Sequence, residues 1–465
     1  VSHYGINACV RSLCMSSDGT SILLGTKGSN IFEISAIDGS DLRGGPIAVG
    51  HSFGDLYAAA SHPSKFEFLT VGQDQTLRVY DMSTNTQLKI ATFDGEARTV
   101  AFNPMGDIVV VGFSGPSSSA KAGAFVVLNE EDLSIVHEAK DSSHSVTVVE
   151  FSPEGETLAV GCSDGGIYLY AVHDEYELVG KCDRHATAVT QIDFSKDGEW
   201  LRSNSEAREL FFFNTDDASF QSNIASMRDV QWATNNCTFT WHVKEVHHSP
   251  FVADDLLCNH VLPIPEELAG TVEPYLACGS SQGYVRLYPF PCVAEGSECH
   301  RYPAHCSKTA SVKFAFDGTR LVSAGLHDRC VIQWTCLPYA ADTDVQVPLE
   351  EQADDLDLRL EALTGPALQE AFMPAETKLP IGLLNAPRVA TRGMKKVTAE
   401  ITPSPENDAW LVSVVEPTAP PNVRTGIPDL SLLLEHVYGY EAQTMRNNVR
   451  YTAADEIVYT VSTMG

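Results

Sequence analysis

Histidines and aspartates recur at matching positions along the chain, and they are the first residues whose chemistry could matter. Three histidines precede the first strand of a repeat, and three aspartates lie in the turn after a second strand: His51, His185 and His305, and Asp74, Asp164 and Asp328. A histidine beside a carboxylate can serve general acid–base catalysis. Recurrence once per repeat instead favours pairs that satisfy buried polar groups of a turn. Because no copy adds a matching nucleophile, the sequence predicts structural turn residues and no enzyme activity.

A second group of residues has the chemistry of metal ligands. It lies within one short stretch and consists of Cys292, Cys299, His300, His305 and Cys306. Zinc sites are typically built from paired ligands such as Cys-x₂-Cys, which these spacings do not supply. Glycine-rich phosphate loops between a strand and a helix, and G-x-S-x-G elbows, are also missing from the sequence. We therefore predict a loop between two repeats here, with no metal and no cofactor.

The elements that would position these residues are short strands, and the clearest example is Phe151–Tyr170. A Pro-Glu-Gly turn leads into the apolar strand Thr157–Gly161, and a Ser-Asp-Gly-Gly turn leads into the alternating strand Ile167–Tyr170. The chain repeats this pattern seven times. The other copies are Leu13–Gly25, Ala58–Asp81, Val100–Leu128, Ile192–Asn214, a split copy that begins at Asp229–Trp232 and resumes at Leu276, and Val312–Trp334.

The repeats have a regular period that indicates their architecture. A marker residue ends the second strand of each copy: Gly25, Gly72, Gly112, Gly161, Asn204, Gly279 and Gly325. Outside the split sixth copy, the spacing between markers runs from 40 to 49 residues. A period of roughly 40–45 residues with four short strands is typical of WD40-type propellers, and seven copies lie within the usual 4–8 blades. The sequence predicts an all-β fold with a seven-bladed WD40-type β-propeller.

Composition changes along the chain suggest three regions. Residues 1–335 hold the repeats, with an insertion at about 235–274 that interrupts copy six between its first two strands. Insertions in repeat folds map to one face, which is often a binding face, although this one is equally consistent with a passive surface loop. Residues 336–429 begin acidic and become proline-rich, as expected of a long linker that lies along other surfaces. Residues 430–465 regain strand-like patterning.

The charge of the chain limits its partners. Lys and Arg number 31 against 61 Asp and Glu, which gives a formal net charge of −30. Such a surface repels nucleic acid and anionic membranes, and no run of about 18 apolar residues could span a bilayer. The acidic charge favours solubility or a basic partner surface. The 12 cysteines, many within predicted strands, fit reduced thiols in the cytoplasm.

Four motifs stand out in the later repeats: Ser203-Asn204-Ser205, Arg228–Trp232, Val285–Cys292 and Val331–Trp334. Together they resemble the second propeller of echinoderm microtubule-associated protein-like (EML-type) proteins. The end of the chain resembles the HELP motif, the hydrophobic segment that opens an EML-type unit, although His436 stands where the family pattern carries Trp. The HELP-like residues are Tyr438, Gly439, Tyr440, Arg446, Asn447, Asn448 and Tyr459.

The resemblance implies a non-enzymatic microtubule-associated scaffold in the cytoplasm and cytoskeleton, with tubulin, microtubules or microtubule-associated proteins as partners. The axoneme of a cilium or flagellum is one location it suggests. The family places HELP before a first propeller, whereas here the HELP-like segment comes last. We therefore expect a window from a longer protein with tandem units, in which 1–335 closes one unit and 430–465 opens the next. The alternative is a general WD40 adaptor for a non-tubulin protein.

Overall fold

The computed structural model of the protein describes residues 9–116, 120–248, 255–264, 273–338, 409–421, 423–440, 449–452 and 457–459. These residues belong to one compact unit, which comprises Val1–Tyr339 and Pro405–Gly465. Antiparallel strands account for nearly all of the regular structure. In the part of the chain that the structure describes, three short 3₁₀ helices accompany them, at Ile224–Met227, at Trp241–His248 with a kink at Val243, and at Ala409–Ser413. The predicted all-β class is confirmed.

The described residues form seven sheets of three or four strands that follow one another in sequence, and we call them blades 1 to 7. Blade 1 contains β1 (Val10–Met15), β2 (Ser21–Thr26) and β3 (Ile31–Ser35); blade 2 contains β4 (Leu56–Ser61), β5 (Glu67–Gly72), β6 (Thr76–Asp81) and β7 (Thr86–Thr92); blade 3 contains β8 (Glu96–Phe102), β9 (Ile108–Ser114), β10 (Ala124–Asn129) and β11 (Ile135–Lys140); blade 4 contains β12 (Val146–Phe151), β13 (Thr157–Cys162), β14 (Gly166–Ala171) and β15 (Glu177–Asp183).

The remaining blades are less regular in their spacing. Blade 5 contains β16 (Val189–Phe194), β17 (Trp200–Ser205) and β18 (Leu210–Asn214); blade 6 contains β19 (Leu256–Val261), β20 (Tyr275–Ser280), β21 (Tyr284–Pro289) and β22 (His300–Pro303); blade 7 contains β23 (Thr309–Phe314), β24 (Arg320–Gly325), β25 (Val331–Pro338) and β26 (Leu430–Tyr438); a two-stranded sheet of β27 (Val449–Tyr451) and β28 (Ile457–Tyr459) follows.

Blades 2 to 7 close into a ring around a central channel. The inner strand of each blade packs against the inner strand of the next, from β4 to β8, β12 and β16, and from β19 through β23 back to β4. Between blades 5 and 6, the Nε2 amide of Gln191 on β16 donates to the Leu257 carbonyl on β19 at 2.8 Å. A closed ring leaves its blades without unpaired faces, which is how propellers protect their sheets.

Burial along the strands follows from this arrangement. The second and third strands of a blade lie between two neighbouring blades, so β5 is buried at five of its six positions and β14 likewise. The outermost strand β7 instead alternates between exposed and half-buried positions, as an edge strand should. Apolar clusters span each seam; one joins Leu69 and Val79 of blade 2 to Val111 and Val126 of blade 3. Burial of this apolar surface is the main favourable term in folding.

Two turn glycines are required by close backbone approach. Gly165 and Gly283 have φ angles of +86° and +85°, in the region that favours glycine. A Cβ atom on Gly165 would lie 2.3 Å from the carbonyl oxygen of His185, and one on Gly283 would lie 2.0 Å from that of His305. Each turn therefore touches the backbone that leads into the next blade, which fixes the position of the following histidine.

Blade 6 differs from the sequence prediction. Its inner strand is β19, which lies inside the predicted insertion at about 235–274, and Asp229–Trp232 does not begin the blade. Trp232 instead forms an isolated bridge to Ser195 beyond β16. The reason is the buried carboxylate of Asp193, which accepts hydrogen bonds from Thr234, Asn236 and Cys237 and thereby holds the 234–237 segment beside blade 5.

Blade 7 is completed by a strand from beyond the predicted linker. β26 pairs antiparallel with β25, so that Ile332 lies opposite Val437 and Trp334 opposite Leu434. The predicted boundary at residue 430 therefore coincides with the start of a strand that shares a sheet with β23–β25. Arg320 on β24 pairs with Glu435 at 3.0 Å and adds a side-chain contact to the backbone pairing.

Blade 1 occupies a different place from the other six. Its strands β1 and β2 pack against β27, and the ring closes from β23 to β4 without them. Leu23 and Ile31 form a buried cluster with Tyr440 and Val449 of the C-terminal segment. The sequence counted copy one among the seven blades; its apolar face packs on the HELP-like segment, beside the ring of blades 2 to 7.

Candidate functional site

The His51–Asp74 pair lies wholly inside blade 2. The Nδ1 atom of His51 is 2.8 Å from Oδ1 of Asp74, and Nε2 is 2.9 Å from the Thr70 hydroxyl. Asp74 also accepts the backbone N–H of Ser52 at 2.9 Å. Burial lowers the pKa of His51 although Asp74 opposes this. Burial would raise the pKa of Asp74, but His51 and the Ser52 amide hold it below its usual range. A neutral histidine therefore donates to an ionised aspartate.

Blade 7 repeats this arrangement with a serine. His305 Nδ1 is 3.1 Å from Asp328 Oδ2, and Nε2 is 3.0 Å from the Ser323 hydroxyl. The indole N–H of Trp334 donates to the same hydroxyl at 3.0 Å. This order of Asp, His and Ser matches that of a catalytic triad. However, Ser323 is fully buried and His305 is 1% exposed, so solvent does not reach the hydroxyl.

His185 and Asp164 are not brought together with an aspartate or histidine of the predicted set. His185 Nδ1 lies 3.1 Å from Glu209 Oε2, and its Nε2 lies 2.7 Å from the Ser203 hydroxyl. Burial lowers the pKa of His185, with Glu209 opposing. Asp164 accepts the N–H of Gly166, and His144 lies 3.5 Å from its second oxygen. Blade 5 thus uses a glutamate where blades 2 and 7 use an aspartate.

Spacing could have revealed these two missed partners. In blades 2 and 7 the carboxylate follows its histidine by 23 residues. His185 and Glu209 are 24 apart, and His144 precedes Asp164 by 20. The repeat therefore tolerates small shifts in the loop lengths while the histidine stays before the inner strand. The histidines of blades 2, 5 and 7 hold buried turns. The more exposed His144 has the Ser143 hydroxyl at 3.3 Å and Asp164 at 3.5 Å from the same Nδ1 atom, which is not the geometry of a catalytic triad.

The inner strands of blades 2 to 7 enclose a central channel. Its wider end has a volume of about 380 Å³ and lies between the outer ends of the inner strands, where Phe102, Phe151, Phe314 and the His62-Pro63 turn line it. A second cavity of about 150 Å³ continues toward the other end. The side chain of Glu150 borders both cavities.

The predicted HELP-like residues serve mainly as packing at two seams. The Tyr438 hydroxyl donates to Gln333 Oε1 at 2.8 Å, and its ring lies 4.8 Å from that of Tyr80 in blade 2. Tyr440 donates to the Thr26 carbonyl at 2.7 Å, which ties the segment to blade 1. Gly439, with φ +82°, lies against Gly50 where a side chain would clash.

The last of these residues also contributes a contact. Tyr459 donates to the Val437 carbonyl at 3.2 Å and so connects β28 to β26. Arg446, Asn447 and Asn448 lie outside the described residues.

The end of the predicted linker lies on blades 5 and 6. Trp410 is 2% exposed, with its ring 5.6 Å from Phe239 and 5.4 Å from His247. Thr418 donates from its amide and its hydroxyl to Asp229, at 2.8 and 2.7 Å. The 409–421 segment is therefore docked on the propeller by both apolar and polar contacts.

The cysteine and histidine stretch of blade 6 is occupied by structural contacts. Cys292 is buried, and desolvation raises the pKa of its thiol to about 12. His300 Nε2 lies 2.9 Å from the Pro428 carbonyl, and His305 belongs to the pair described above. Within the described ranges, no three His, Cys, Asp or Glu side chains gather closely enough to hold a metal ion. The same part of the chain contains no helix that is long and apolar enough to cross a membrane.

Comparison with known proteins matches this architecture to one family. The family described as "Echinoderm microtubule-associated protein second beta-propeller" matches residues 56–336, and the HELP motif family matches residues 427–465. These spans cover the ring of blades 2 to 7 and the segment that completes it.

Individual relatives agree with the family match. Echinoderm microtubule-associated protein-like 1 of Homo sapiens is 30% identical over 292 residues, which are 62% of this chain and 34% of the relative. Echinoderm microtubule-associated protein-like 3 of Homo sapiens is 29% identical over 327 residues, 69% of this chain and 34% of the relative. Echinoderm microtubule-associated protein-like 2 of Homo sapiens is 27% identical over 319 residues, 68% and 46% respectively. The chain thus spans about a third to a half of these relatives, and it belongs to the echinoderm microtubule-associated protein-like family.

Proposed function

We propose that this chain is part of a microtubule-associated scaffold without enzyme activity, which binds tubulin or microtubule-associated proteins through the faces of its propeller. The observation that carries the proposal is the family match over residues 56–336, together with the HELP motif at 427–465. The names of the related proteins state microtubule association for them. A propeller supports such a role because its loops present many separate contact points on a rigid ring.

The buried histidine networks support the non-enzymatic part of the proposal. In blade 7 the Ser323 hydroxyl already accepts the Trp334 indole N–H and is closed off from solvent. In blade 2 the hydroxyl is that of Thr70, which is equally buried. A nucleophile must reach its substrate to react, so these groups act as internal hydrogen-bonding partners.

The charge of the chain shapes how contact with microtubules would occur. A net charge of −30 repels acidic surfaces, and tubulin is itself acidic. We expect the chain to contact the tubulin body away from its acidic tails, or to reach the microtubule through another protein. Like charges facing each other across an interface disfavour binding by several kcal/mol.

Co-sedimentation of the intact chain with polymerised tubulin tests this function. We expect pelleting with microtubules that increases when the acidic tubulin tails are removed by proteolysis, because that removal relieves repulsion. A matched sample without microtubules controls for aggregation. A chain that stays in the supernatant with both kinds of microtubule, and whose parent protein decorates no cytoskeletal structure in cells, would contradict the proposal.

An adaptor for a non-tubulin protein is the second candidate, and the acidic charge favours it. Cross-linking mass spectrometry in cells separates the two functions. Cross-links from the propeller to tubulin support the scaffold, whereas cross-links confined to other proteins support the adaptor. We propose no nucleic acid or membrane partner, since phosphate-rich surfaces would be repelled by the same charge.

The location and the organisation of the parent protein follow from the same proposal. We place the protein in the cytoplasm on the cytoskeleton, with the axoneme of a cilium or flagellum as one location. We also propose tandem units, in which residues 1–335 belong to one unit, 336–429 connect, and 430–465 complete blade 7 of that unit through β26 and lead into the next. Imaging of the tagged parent protein in ciliated cells tests the location; staining confined to cytoplasmic microtubules would exclude the axoneme.

A further inference from the structure

The wide end of the central channel combines aromatic walls with a carboxylate that lacks a partner. Phe102, Phe151 and Phe314 lie at its sides, and proline-containing turns form its rim. Glu150 lies at the point where this cavity meets the narrower one. Among the described residues, Glu150 makes no hydrogen bond and no ion pair within 4 Å. The Glu150 side chain is half-buried, and a carboxylate withdrawn from bulk water without a partner is unfavourable.

Two further charged groups near the channel have hydrogen-bonding partners. Asp193 on β16 pairs with Arg202 at 3.0 Å and accepts bonds from the 234–237 segment. Lys313 on β23 donates to Asn236 Oδ1 at 3.1 Å. Two charged groups among the described residues line the wide cavity, Glu150 and Lys313, and neither is in an ion pair within 4 Å. The Lys313 ammonium is held by the Asn236 amide, whereas the Glu150 carboxylate is left without a hydrogen bond.

Another titratable group at this end of the channel, His260, is a neutral donor. His260 on β19 accepts the Phe314 amide N–H at its Nδ1 atom, at 3.2 Å. Burial holds the pKa of His260 well below its usual range, and Lys313 lowers it further. The ring proton therefore resides on Nε2, and the imidazole adds no positive charge that would satisfy Glu150.

We propose that the wide cavity binds the side chain of a lysine or arginine from a partner protein, with the Glu150 carboxylate as its counter-ion. A long aliphatic stem with a charged end matches a cavity that has apolar walls and one acidic group at its base. Phenylalanine faces also attract cations. The net charge of −30 draws cationic partners toward the ring.

The state of Glu150 agrees with this assignment. Desolvation raises its pKa to about 7, although Lys313 opposes the shift and Asp193 adds to it. An incoming cation would favour the ionised form and replace the water that the carboxyl group has lost. This site does not depend on microtubule association, so either proposal can fail while the other stands.

Ligand-observed NMR on the intact chain tests the site with small probes. The cationic probe is N-acetyl-arginine methylamide, and its neutral isostere is N-acetyl-citrulline methylamide. We expect the arginine probe to bind and the citrulline probe to bind at least roughly tenfold more weakly, because hydrogen bonds to charged groups are the strong ones. Equal binding of the two probes would overturn the proposal.

Two substitutions with opposite expected effects on probe affinity test whether the probe binds beside Glu150. Glu150→Gln should weaken binding of the arginine probe roughly tenfold. Lys313→Met should strengthen its binding, because a competing positive charge is removed. Glu156→Gln removes the same charge from an exposed position of blade 4 and should leave binding unchanged. Thermal unfolding of each variant verifies that the ring is intact.

Two outcomes of these binding experiments would contradict the proposal. If N-acetyl-glutamate methylamide binds in place of the arginine probe, and Lys313→Met abolishes that binding, the channel recognises an anion and the proposal is wrong. Binding of the arginine probe that is equal in wild type and Glu150→Gln would also contradict it.

Discussion

Blades 2 and 5 each pair a buried histidine with a carboxylate, but the two pairs differ in their exposure to solvent. Blade 2 has four strands, and its His51–Asp74 pair is 1% and 0% exposed at the side chains. Blade 5 has three strands in the described part of the chain, and the Glu209 partner of His185 is 24% exposed. The four-stranded blade 2 thus excludes solvent from its polar network, whereas the three-stranded blade 5 leaves one carboxylate partly exposed.

The two blades also draw on different parts of the chain. Every strand and network residue of blade 2 lies between residues 51 and 92. The outer side of blade 5 is covered by Phe220, by Trp232 and by Val414 of the distant linker end. A blade that loses its fourth strand can therefore be stabilised by segments from elsewhere, and it becomes dependent on their docking.

The largest expected effect is the loss of the buried pair in blade 2. Asp74→Ala removes the acceptor of His51, of the Ser52 amide and of the Thr76 hydroxyl. We expect the free energy of unfolding to fall by about 3–5 kcal/mol, since breaking a buried pair strands the remaining polar groups. Chemical denaturation measures the change, with Asp94→Ala at an exposed position as the control. A loss below 1 kcal/mol would show that the pair behaves like a surface contact.

The next effect concerns the segment docked on blade 5. Trp410→Ala empties the contact with Phe239 and His247 and should lower the free energy of unfolding by about 3 kcal/mol. Hydrogen exchange should rise in β18 and leave β5 unchanged. Val412→Ala, at a position 82% exposed on the same 3₁₀ helix, is the matched control. Equal exchange of β18 in wild type and Trp410→Ala would mean that the segment does not support blade 5.

A pH effect of intermediate size follows from His51. Burial holds the pKa of His51 below its usual range, so below about pH 6.5 the unfolded chain binds a proton that the folded chain excludes. Acidification from pH 6.5 to 5.5 should therefore remove up to about 1.4 kcal/mol of stability through this residue.

The comparison of His51→Gln with wild type at the two pH values isolates that effect. The variant should lose correspondingly less stability on acidification, while His173→Gln at an exposed position should follow wild type. An identical loss in His51→Gln and wild type would show that His51 is not kept neutral.

The smallest effect is expected in the degenerate blade. Burial would raise the pKa of Glu209, but hydrogen bonds from His185 and Ser205 hold it below its usual range. Because Glu209 is partly exposed, Glu209→Ala should cost only about 0.5–1 kcal/mol. Glu206→Ala is the exposed control on the same turn. A loss as large as that of Asp74→Ala would remove the distinction between the two blades.

Sequence patterns within a single repeat predicted the strands and turns that recur in every blade. The period of the marker glycines predicted the seven sheets, because each hairpin turn and strand is encoded within about 45 residues. Glu209 escaped prediction because its loop is one residue longer than those of Asp74 and Asp328. The strand Leu256–Val261 was not predicted because no Gly or Pro turn marks its start. The segment at Trp232 has the sequence pattern of a first strand, although it forms only an isolated bridge.

Long-range pairings could not be predicted in the same way. β26 joins β25 across more than 90 residues, and the strand pattern of Leu430–Tyr438 does not specify which edge it will pair with. The same holds for Trp410, whose burial depends on a groove made by Phe239 and His247. Only the assembled ring creates these docking positions, since each needs side chains from two separate parts of the sequence.

Hydrogen–deuterium exchange on the intact chain tests most directly whether segments from beyond the repeats complete the propeller. β26 should exchange as slowly as β25, because the two strands pair from Val331–Tyr438 to Pro338–Leu430. Amides that bond across a stable sheet exchange only when the sheet opens. Protection of residues 431–438 equal to that of 331–337 is the expected result. Fast exchange of 431–438 beside a protected β25 would contradict the completion of blade 7 by this strand.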